Sequence, residues 1–344
     1  MYLPSLLAPL LTLSTAVLAT PLNSRQATTY PAPSPCTGSC SGIKDPSVFR
    51  RSDGTWFRFS TGNNISIASA PALTGPWTSK GPLLHNGTSI HVGDKQGIWA
   101  PDVSKIGDVY VAYYSVSVLS QRTSDIGVAT SASMESGSWT DHGSVGVPKN
   151  ADYNLIDPNL FTECPTCPRI WTFGSAWQGI YQTTLGEKGL KWSGSTPARQ
   201  IYNSTVPPGQ TWEAVVEGAF LTSKTVGGTK YYYMFWSSGA SQNEPDELAA
   251  PGDEYKVEVC RSAAAAGPWM DKGGRDCRTQ NGGTLVLGSH GERVYAPGGQ
   301  GVTEDAGKTV LYYHYVNPKI GYAFKDFQFG FNYLDFSSGW PVLV

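Results

Sequence analysis

Short β-branched and aromatic runs, bounded by Gly, Asp and Ser, recur along the chain. Trp56 to Ser60, Val109 to Tyr114, Arg169 to Phe173, Lys230 to Trp236 and Thr309 to Tyr315 have the length and composition of strands. No long stretch carries helical periodicity, and Ala263 to Ala266 is too short to hold a helix by itself. The chain therefore reads as all-β. A weak repeat lies beneath the strands. Ser69-Ala70 leads to Gly75-Pro76-Trp77, Ser131-Ala132 to Gly137-Ser138-Trp139, and Ser262-Ala263 to Gly267-Pro268-Trp269, with degenerate copies ending at Trp192 and Gly339-Trp340.

A second marker runs in phase with the first. Acid-headed runs start near Asp45, Asp102, Asp157 and Glu217, and Pro297-Gly298-Gly299-Gln300-Gly301 takes the fifth place. Each precedes an aromatic strand. Five units of about four strands predict a five-bladed β-propeller, in which the first strand of each blade lines a central channel. The acid-headed runs are then inner strands, and Asp45, Asp157 and Glu217 converge at one mouth of the channel. Converging carboxylates suit glycosidic cleavage, where one group protonates the leaving oxygen and another serves as base or nucleophile. A third acid nearby raises the pKa of the proton donor, because like charges resist ionising together.

Composition narrows the setting. An apolar stretch from Leu6 to Ala19 ends in small residues suited to signal-peptide cleavage after Ala19. It is shorter than the ~20 residues a membrane span needs. Residues 1–19 are expected to be a signal peptide, 20–41 a flexible lead-in rich in Pro, Ser and Thr, and 42–344 the catalytic domain. Sequons at Asn64, Asn86 and Asn203, together with six cysteines, agree with a secreted, extracellular chain. Local pairs Cys36/Cys40, Cys164/Cys167 and Cys260/Cys277 are the simplest disulfide set, among several the sequence allows. A net charge of −2 without a basic run argues against nucleic-acid or anionic-membrane partners. Nothing suggests an oligomer seam, so a monomer is expected. Of the 11 Trp and 18 Tyr, most are expected in the core, leaving some to stack on sugar rings in a cleft. Gly-x-Ser-x-Gly, His-Glu-x-x-His and phosphate-loop motifs are absent from the sequence. His314, between Tyr313 and Tyr315, reads first as a packed strand residue.

Asp45-Pro46-Ser47-Val48, Ile98 to Asp102, Ile156-Asp157-Pro158, Val216 to Phe220, Val294 to Gly301 and Leu311 to Tyr315 together resemble glycoside hydrolase family 43, in its fungal endo-1,5-α-L-arabinanase branch. The resemblance covers about Gly42 to Val344. It implies a five-bladed propeller and an inverting attack on internal linkages of pectic arabinan. Asp45 would be the general base, Glu217 the general acid, and Asp157 the group that orients substrate and raises the pKa of Glu217. Trp99, Asp102, Ser115, Ser117 and Trp177 match substrate-cleft positions. The resemblance also implies a Ca2+ ion in the channel, held largely through waters, with His314 as a metal-site residue. Leu119 and Ala176 stand where the family usually has Phe, and Ala240-Ser241 where fungal relatives often have paired cysteines. These departures bear on substrate preference. An exo-acting arabinofuranosidase or β-xylosidase, and a non-catalytic sugar-binding propeller, are the alternative readings.

Overall fold

The computed structural model describes residues 30–175, 179–203, 215–241 and 244–344. Among the described residues, twenty strands form five antiparallel sheets of four, each sheet taking four consecutive strands. The first blade is β1 (Ser47–Arg50), β2 (Trp56–Ser60), β3 (Ser66–Ala70) and β4 (Thr78–Pro82). The second is β5 (Gly97–Ile106), β6 (Val109–Ser117), β7 (Ser124–Ser131) and β8 (Thr140–Ser144). The third is β9 (Asn159–Thr162), β10 (Arg169–Phe173), β11 (Ile180–Leu185) and β12 (Arg199–Tyr202). The fourth is β13 (Val216–Val226), β14 (Thr229–Ser238), β15 (Lys256–Ser262) and β16 (Thr284–Leu287). The fifth is β17 (Tyr295–Asp305), β18 (Lys308–Val316), β19 (Gln328–Asp335) and β20 (Val342–Leu343).

The first strands touch in a closed cycle, β1 to β5 to β9 to β13 to β17 and back to β1. This is the five-bladed propeller the repeat predicts. The aromatic runs are the second strands, and each repeat Trp precedes a fourth strand, immediately for Trp77 and Trp139 and at a longer distance for Trp192 and Trp269. Both faces of a blade meet a neighbour, which explains why the second strands are almost continuously apolar. In β6, Tyr110, Ala112 and Tyr114 pack toward the first blade, while Val111 and Tyr113 pack toward the third. In β14, Tyr232, Met234 and Trp236 face the third blade, and Tyr233 and Phe235 the fifth. Strand alternation here sorts side chains between two cores rather than between core and water.

The first and last blades share no strand, so their seam needs another closure. Residues 30–41, expected in the flexible lead-in, supply it. Ser34 N donates to Phe331 O at 2.8 Å, and Phe329 N to Cys40 O at 2.9 Å, on the fifth blade. On the first blade, Thr37 N donates to Thr74 O, Trp77 N to Thr37 O and Ser39 N to Trp77 O, each at 2.9 Å. Backbone groups left open at the edges of two sheets hold the segment in place. Beneath it, the Arg58 guanidinium lies between the rings of Trp77 and Phe329, 4.7 and 4.9 Å from their centroids. It donates to Ser39 O, and burial lowers its pKa to about 9. The disulfides are Cys36–Cys40, Cys164–Cys167 and Cys260–Cys277, the local pairing.

Removing the chain up to Ser41 is expected to destabilise the domain by ~3–5 kcal/mol, at about 1 kcal/mol for each seam hydrogen bond. The urea midpoint of the truncated domain measures this. An unchanged midpoint would mean that the seam closes without the strap.

Candidate active site

The site begins with one backbone feature repeated in every blade. At the entrance to each inner strand a residue is left-handed: Asp45 (φ 48°), Ala100 (φ 44°), Asp157 (φ 54°), Gly218 (φ 63°) and Gly299 (φ 56°). In three of them proline follows, so the kinked residue leads into an extended one. Each left-handed residue has its N–H caught by a side chain of the preceding blade. Ala100 N donates to Thr61 Oγ1 at 2.8 Å, and Asp157 N to Ser115 Oγ at 2.8 Å. Gly218 N donates to Asp157 Oδ2 at 3.0 Å, Gly299 N to Ser237 Oγ at 2.9 Å, and Asp45 N to His314 Nδ1 at 3.0 Å.

Two residues further down, a deeper set ties the strands together. Val103 N donates to Ser47 Oγ at 3.0 Å, Leu160 N to Asp102 Oδ2 at 2.8 Å and Leu221 N to Asn159 Oδ1 at 2.9 Å. Between the fourth and fifth blades, Phe220 and Tyr312 instead meet edge-on at 6.3 Å, and Gln300 Nε2 donates to Gly218 O at 2.7 Å.

The residue just before each left-handed position points the other way. Lys44, Trp99, Ile156 and Glu217 all line one cavity of 390 Å³, together with Asp45, Asp157, Ser117 and Leu119. The three acids expected to converge are therefore in one cavity. Trp99 and Ser117 also reach it. Ser117 Oγ donates to Thr123 O at 3.3 Å and so braces the loop that carries Leu119, which is 60% exposed. Ser115 is buried beneath Asp157 and acts on its backbone rather than on the cleft. Asp102 also departs from expectation. It is buried, absent from the cleft wall, and engaged by Leu160 N and Asn159 Nδ2. Burial, the larger cause, pushes its carboxyl up to about 6 against these hydrogen bonds. The counterpart of Asp45-Pro46 in the second blade is Ala100-Pro101, so the second blade presents no acid. Trp177 and Ala176 lie outside the described residues.

The three acids have different surroundings. Thr61 Oγ1 donates to Asp45 Oδ2 at 2.8 Å. Because that hydroxyl already accepts from Ala100 N, its proton is committed to Asp45. The Asp45 side chain is 23% exposed and open to water. Glu217 accepts from Ser175 Oγ at 2.6 Å and from Tyr255 OH at 2.8 Å. Burial, the largest cause, raises the Glu217 pKa despite both donors and the opposing Lys44 charge. Asp157 is raised well above the carboxylate range, by burial first and then by the charges of Glu217 and Asp45. Burial and the Glu217 charge also push the Tyr255 phenol well up, so it remains a donor.

Lys44, Thr61, Ser175 and Tyr255 are site residues that sequence reasoning missed. Only Lys44 had a local signal, because it occupies the same place before Asp45 that Glu217 does before Gly218. The fifth blade contributes space. A Cβ on Gly298 would lie 2.1 Å from the Tyr255 ring, and one on Gly299 would lie 2.5 Å from His314 Nδ1 and 2.7 Å from Asp45 Oδ1. The Gly298-Gly299 pair is what lets Tyr255 and His314 reach the acids.

His314 was expected at a metal. It is fully buried, and burial lowers its pKa to about 4, so the ring is neutral. With Nδ1 accepting from Asp45 N, the single ring proton belongs on Nε2. That atom has no hydrogen-bond partner and offers a proton, not a lone pair. Calcium prefers six to eight oxygens, and no group of three His, Cys, Asp or Glu gathers among the described residues. This donor set does not fit direct calcium ligation.

A profile described as "Glycosyl hydrolases family 43" matches residues 41–341. The chain belongs to this family. It is 48% identical over 318 residues to "Probable arabinan endo-1,5-alpha-L-arabinosidase A" of Aspergillus clavatus, covering 91% of this chain and 94% of that one. It is 45% identical over 332 residues to "Arabinan endo-1,5-alpha-L-arabinosidase A" of Aspergillus niger, covering 95% and 98%. Among solved structures, the Cellvibrio cellulosa α-L-arabinanase complexed with arabinohexaose superposes with a TM-score of 0.74 at 25% identity, covering 88% and 95%. The Bacillus subtilis arabinanase Arb43A does so at 0.70 and 27% identity, covering 87% and 97%.

Tyr255→Phe removes one bond that favours ionised Glu217, so the Glu217 pKa is expected to rise further. Activity that needs protonated Glu217 should then persist to higher pH. The basic limb of kcat/KM against pH checks the sign; an unmoved or acid-shifted limb would place the titration elsewhere.

Proposed function

We propose that this chain is a secreted, inverting endo-arabinanase that hydrolyses internal α-1,5-L-arabinofuranosyl linkages of pectic arabinan. The observation that carries the reading is the asymmetry of two carboxyl groups in one cavity. Both are partly exposed, but Asp45 is oriented by the single hydroxyl of Thr61, whereas Glu217 is raised in pKa by desolvation and held by Ser175 and Tyr255. The first suits a base and the second an acid.

In this reading a water hydrogen-bonded to Asp45 loses a proton to it and attacks the anomeric carbon. The bond to the leaving oxygen breaks on the opposite face as Glu217 delivers its proton. One displacement with water on the far side inverts the anomeric centre. Asp157 and Glu217 resist ionising together, so the pair retains a proton that Glu217 can deliver. It also holds Gly218 N, which fixes the backbone next to the acid. Trp99 offers a ring face to the sugar chain. The cavity continues past Trp99 into a second cavity that also has Thr61 and Phe324 in its wall. Such a continuation suits binding in the middle of a chain more than capture of an end. The names of the Aspergillus relatives support the same linkage. Three disulfides agree with an oxidising compartment.

Glu217→Gln keeps the shape and both hydrogen-bonding neighbours but removes the transferable proton. Release of reducing sugar from debranched arabinan is expected to fall ~10³-fold with little change in the thermal midpoint. Near wild-type release would sink the assignment. The wild-type product profile separates the readings: a ladder of oligomers marks internal attack, early monomer marks exo attack, and binding without release marks a lectin-like module.

Leu119→Phe restores a ring at an exposed point of the cleft wall. It is expected to lower KM on arabinan a few-fold, since stacking contributes about 1 kcal/mol, and to leave kcat nearly unchanged. A kcat effect without a KM effect would remove Leu119 from the binding surface.

A further inference from the structure

The second cavity, of 500 Å³, is bounded by the turn Gly62-Asn63-Asn64 between β2 and β3 and by Gly87 and Thr88. Asn64 opens the sequon Asn64-Ile65-Ser66 and is exposed. Its side-chain amide makes no hydrogen bond among the described residues. The turn beneath it is firmly set. Asn63, Asn64 and Ile65 are consecutive left-handed residues, with φ of 50°, 53° and 66°. Left-handed backbone is costly for a β-branched residue, yet Ile65 is fully buried in the core between the first two blades. Leu83 N donates to Ile65 O at 2.7 Å, and Leu84 N to Asn64 O at 3.2 Å. Core burial and these two bonds fix the backbone and leave the Asn64 side chain at the lip of the cavity. Asn86, the other sequon asparagine nearby, is exposed but does not line it.

We propose that Asn64 carries an N-linked glycan that walls this end of the cleft and selects against branched arabinan. The inference rests on the reading of the cleft as the arabinan site and on export through the secretory route. In the transfer, the Asn64 amide nitrogen attacks C1 of a lipid-pyrophosphate-linked oligosaccharide. The N–C1 bond forms, the bond from C1 to the pyrophosphate oxygen breaks, and the lipid pyrophosphate leaves with the electron pair. The amide proton passes to a base of the transferase. A hydrated oligosaccharide at the lip leaves a passage for an unbranched chain beside Trp99 and meets the side branches of a decorated one. Selectivity then arises from a steric conflict with the wrong substrate rather than from an added contact with the right one.

The test uses the full chain secreted from a glycosylating fungal host. Peptide mass mapping after enzymatic glycan release reads occupancy at Asn64, independently of activity. Ser66→Ala abolishes the sequon while leaving Asn64 in place, and trimming the folded wild type to a single sugar gives the same comparison without a substitution. Both are expected to raise the ratio of rates on branched over debranched arabinan about threefold or more, with short linear oligomers cleaved as before. Asn86→Gln is expected to leave the ratio unchanged. An unmodified Asn64, a constant ratio after Ser66→Ala and trimming, or an equal change from Asn86→Gln would each overturn the proposal. Absence of any arabinan hydrolysis by the wild type would overturn the reading of the cleft, and the selectivity claim with it, while occupancy would still be read by mass.

Discussion

The capture of a left-handed residue's N–H by the neighbouring blade is the constraint on which the molecule's chemistry depends. A non-glycine residue in this conformation costs on the order of 1–3 kcal/mol, and a buried N–H without a partner costs about as much again. Both conditions are met together at the channel mouth by Thr61, Ser115, Asp157, Ser237 and His314. Each of these side chains comes from one blade and serves the next. Sheet packing alone would bring the blades together but would allow them to slide. The ring of side-chain acceptors fixes their register around the channel, and so fixes the directions in which the acids project.

That ring also explains why one structural slot holds such different residues. The position before each left-handed residue faces the cleft, and the blades fill it with Lys44, Trp99, Ile156 and Glu217. The slot is chemically free because the backbone beside it is held by the neighbouring blade, not by its own side chain. An amine, an indole, an aliphatic surface and a carboxyl group can therefore share one floor. The fifth blade gives up its side chain at Gly298, and the Tyr255 ring from the fourth blade takes that space. Glu217 thus gains the Tyr255 hydroxyl as a hydrogen-bond partner through the side chain that Gly298 lacks.

The fold was legible because its signals are local. Aromatic second strands and the Trp before each fourth strand repeat in the sequence at every blade, and the convergence of Asp45, Asp157 and Glu217 followed from their phase. What escaped was whatever depends on the adjacent blade. Asp102 looked like a fourth acid of the set, yet it lies two residues beyond the left-handed Ala100, where a polar side chain grips Leu160 N. The family resemblance implied ligand contacts for Ser115 and His314, but each is committed to the backbone of an acid. The offset from the left-handed residue decides between lining a cleft and tying two strands. Run composition does not encode that offset, whereas the dihedral angle at the strand entrance does.

The same offset separates the electrostatic roles. Asp45 and Asp157 are themselves the left-handed residues, so their carboxyl groups lie close to the channel axis and to the captured amides. Glu217 comes one residue before Gly218 and uses its longer side chain to reach Ser175 and Tyr255. Three carboxyl groups in one cavity would be prohibitive if all were charged and desolvated. The arrangement avoids this by distributing donors unevenly. Asp45 has one directed hydroxyl, Asp157 one backbone amide, and Glu217 two hydroxyl groups. Desolvation outweighs those two donors, so the Asp157 and Glu217 pair is biased toward keeping a proton. A proton retained at Glu217, beside the hydroxyls of Ser175 and Tyr255, is the one that the proposed displacement requires.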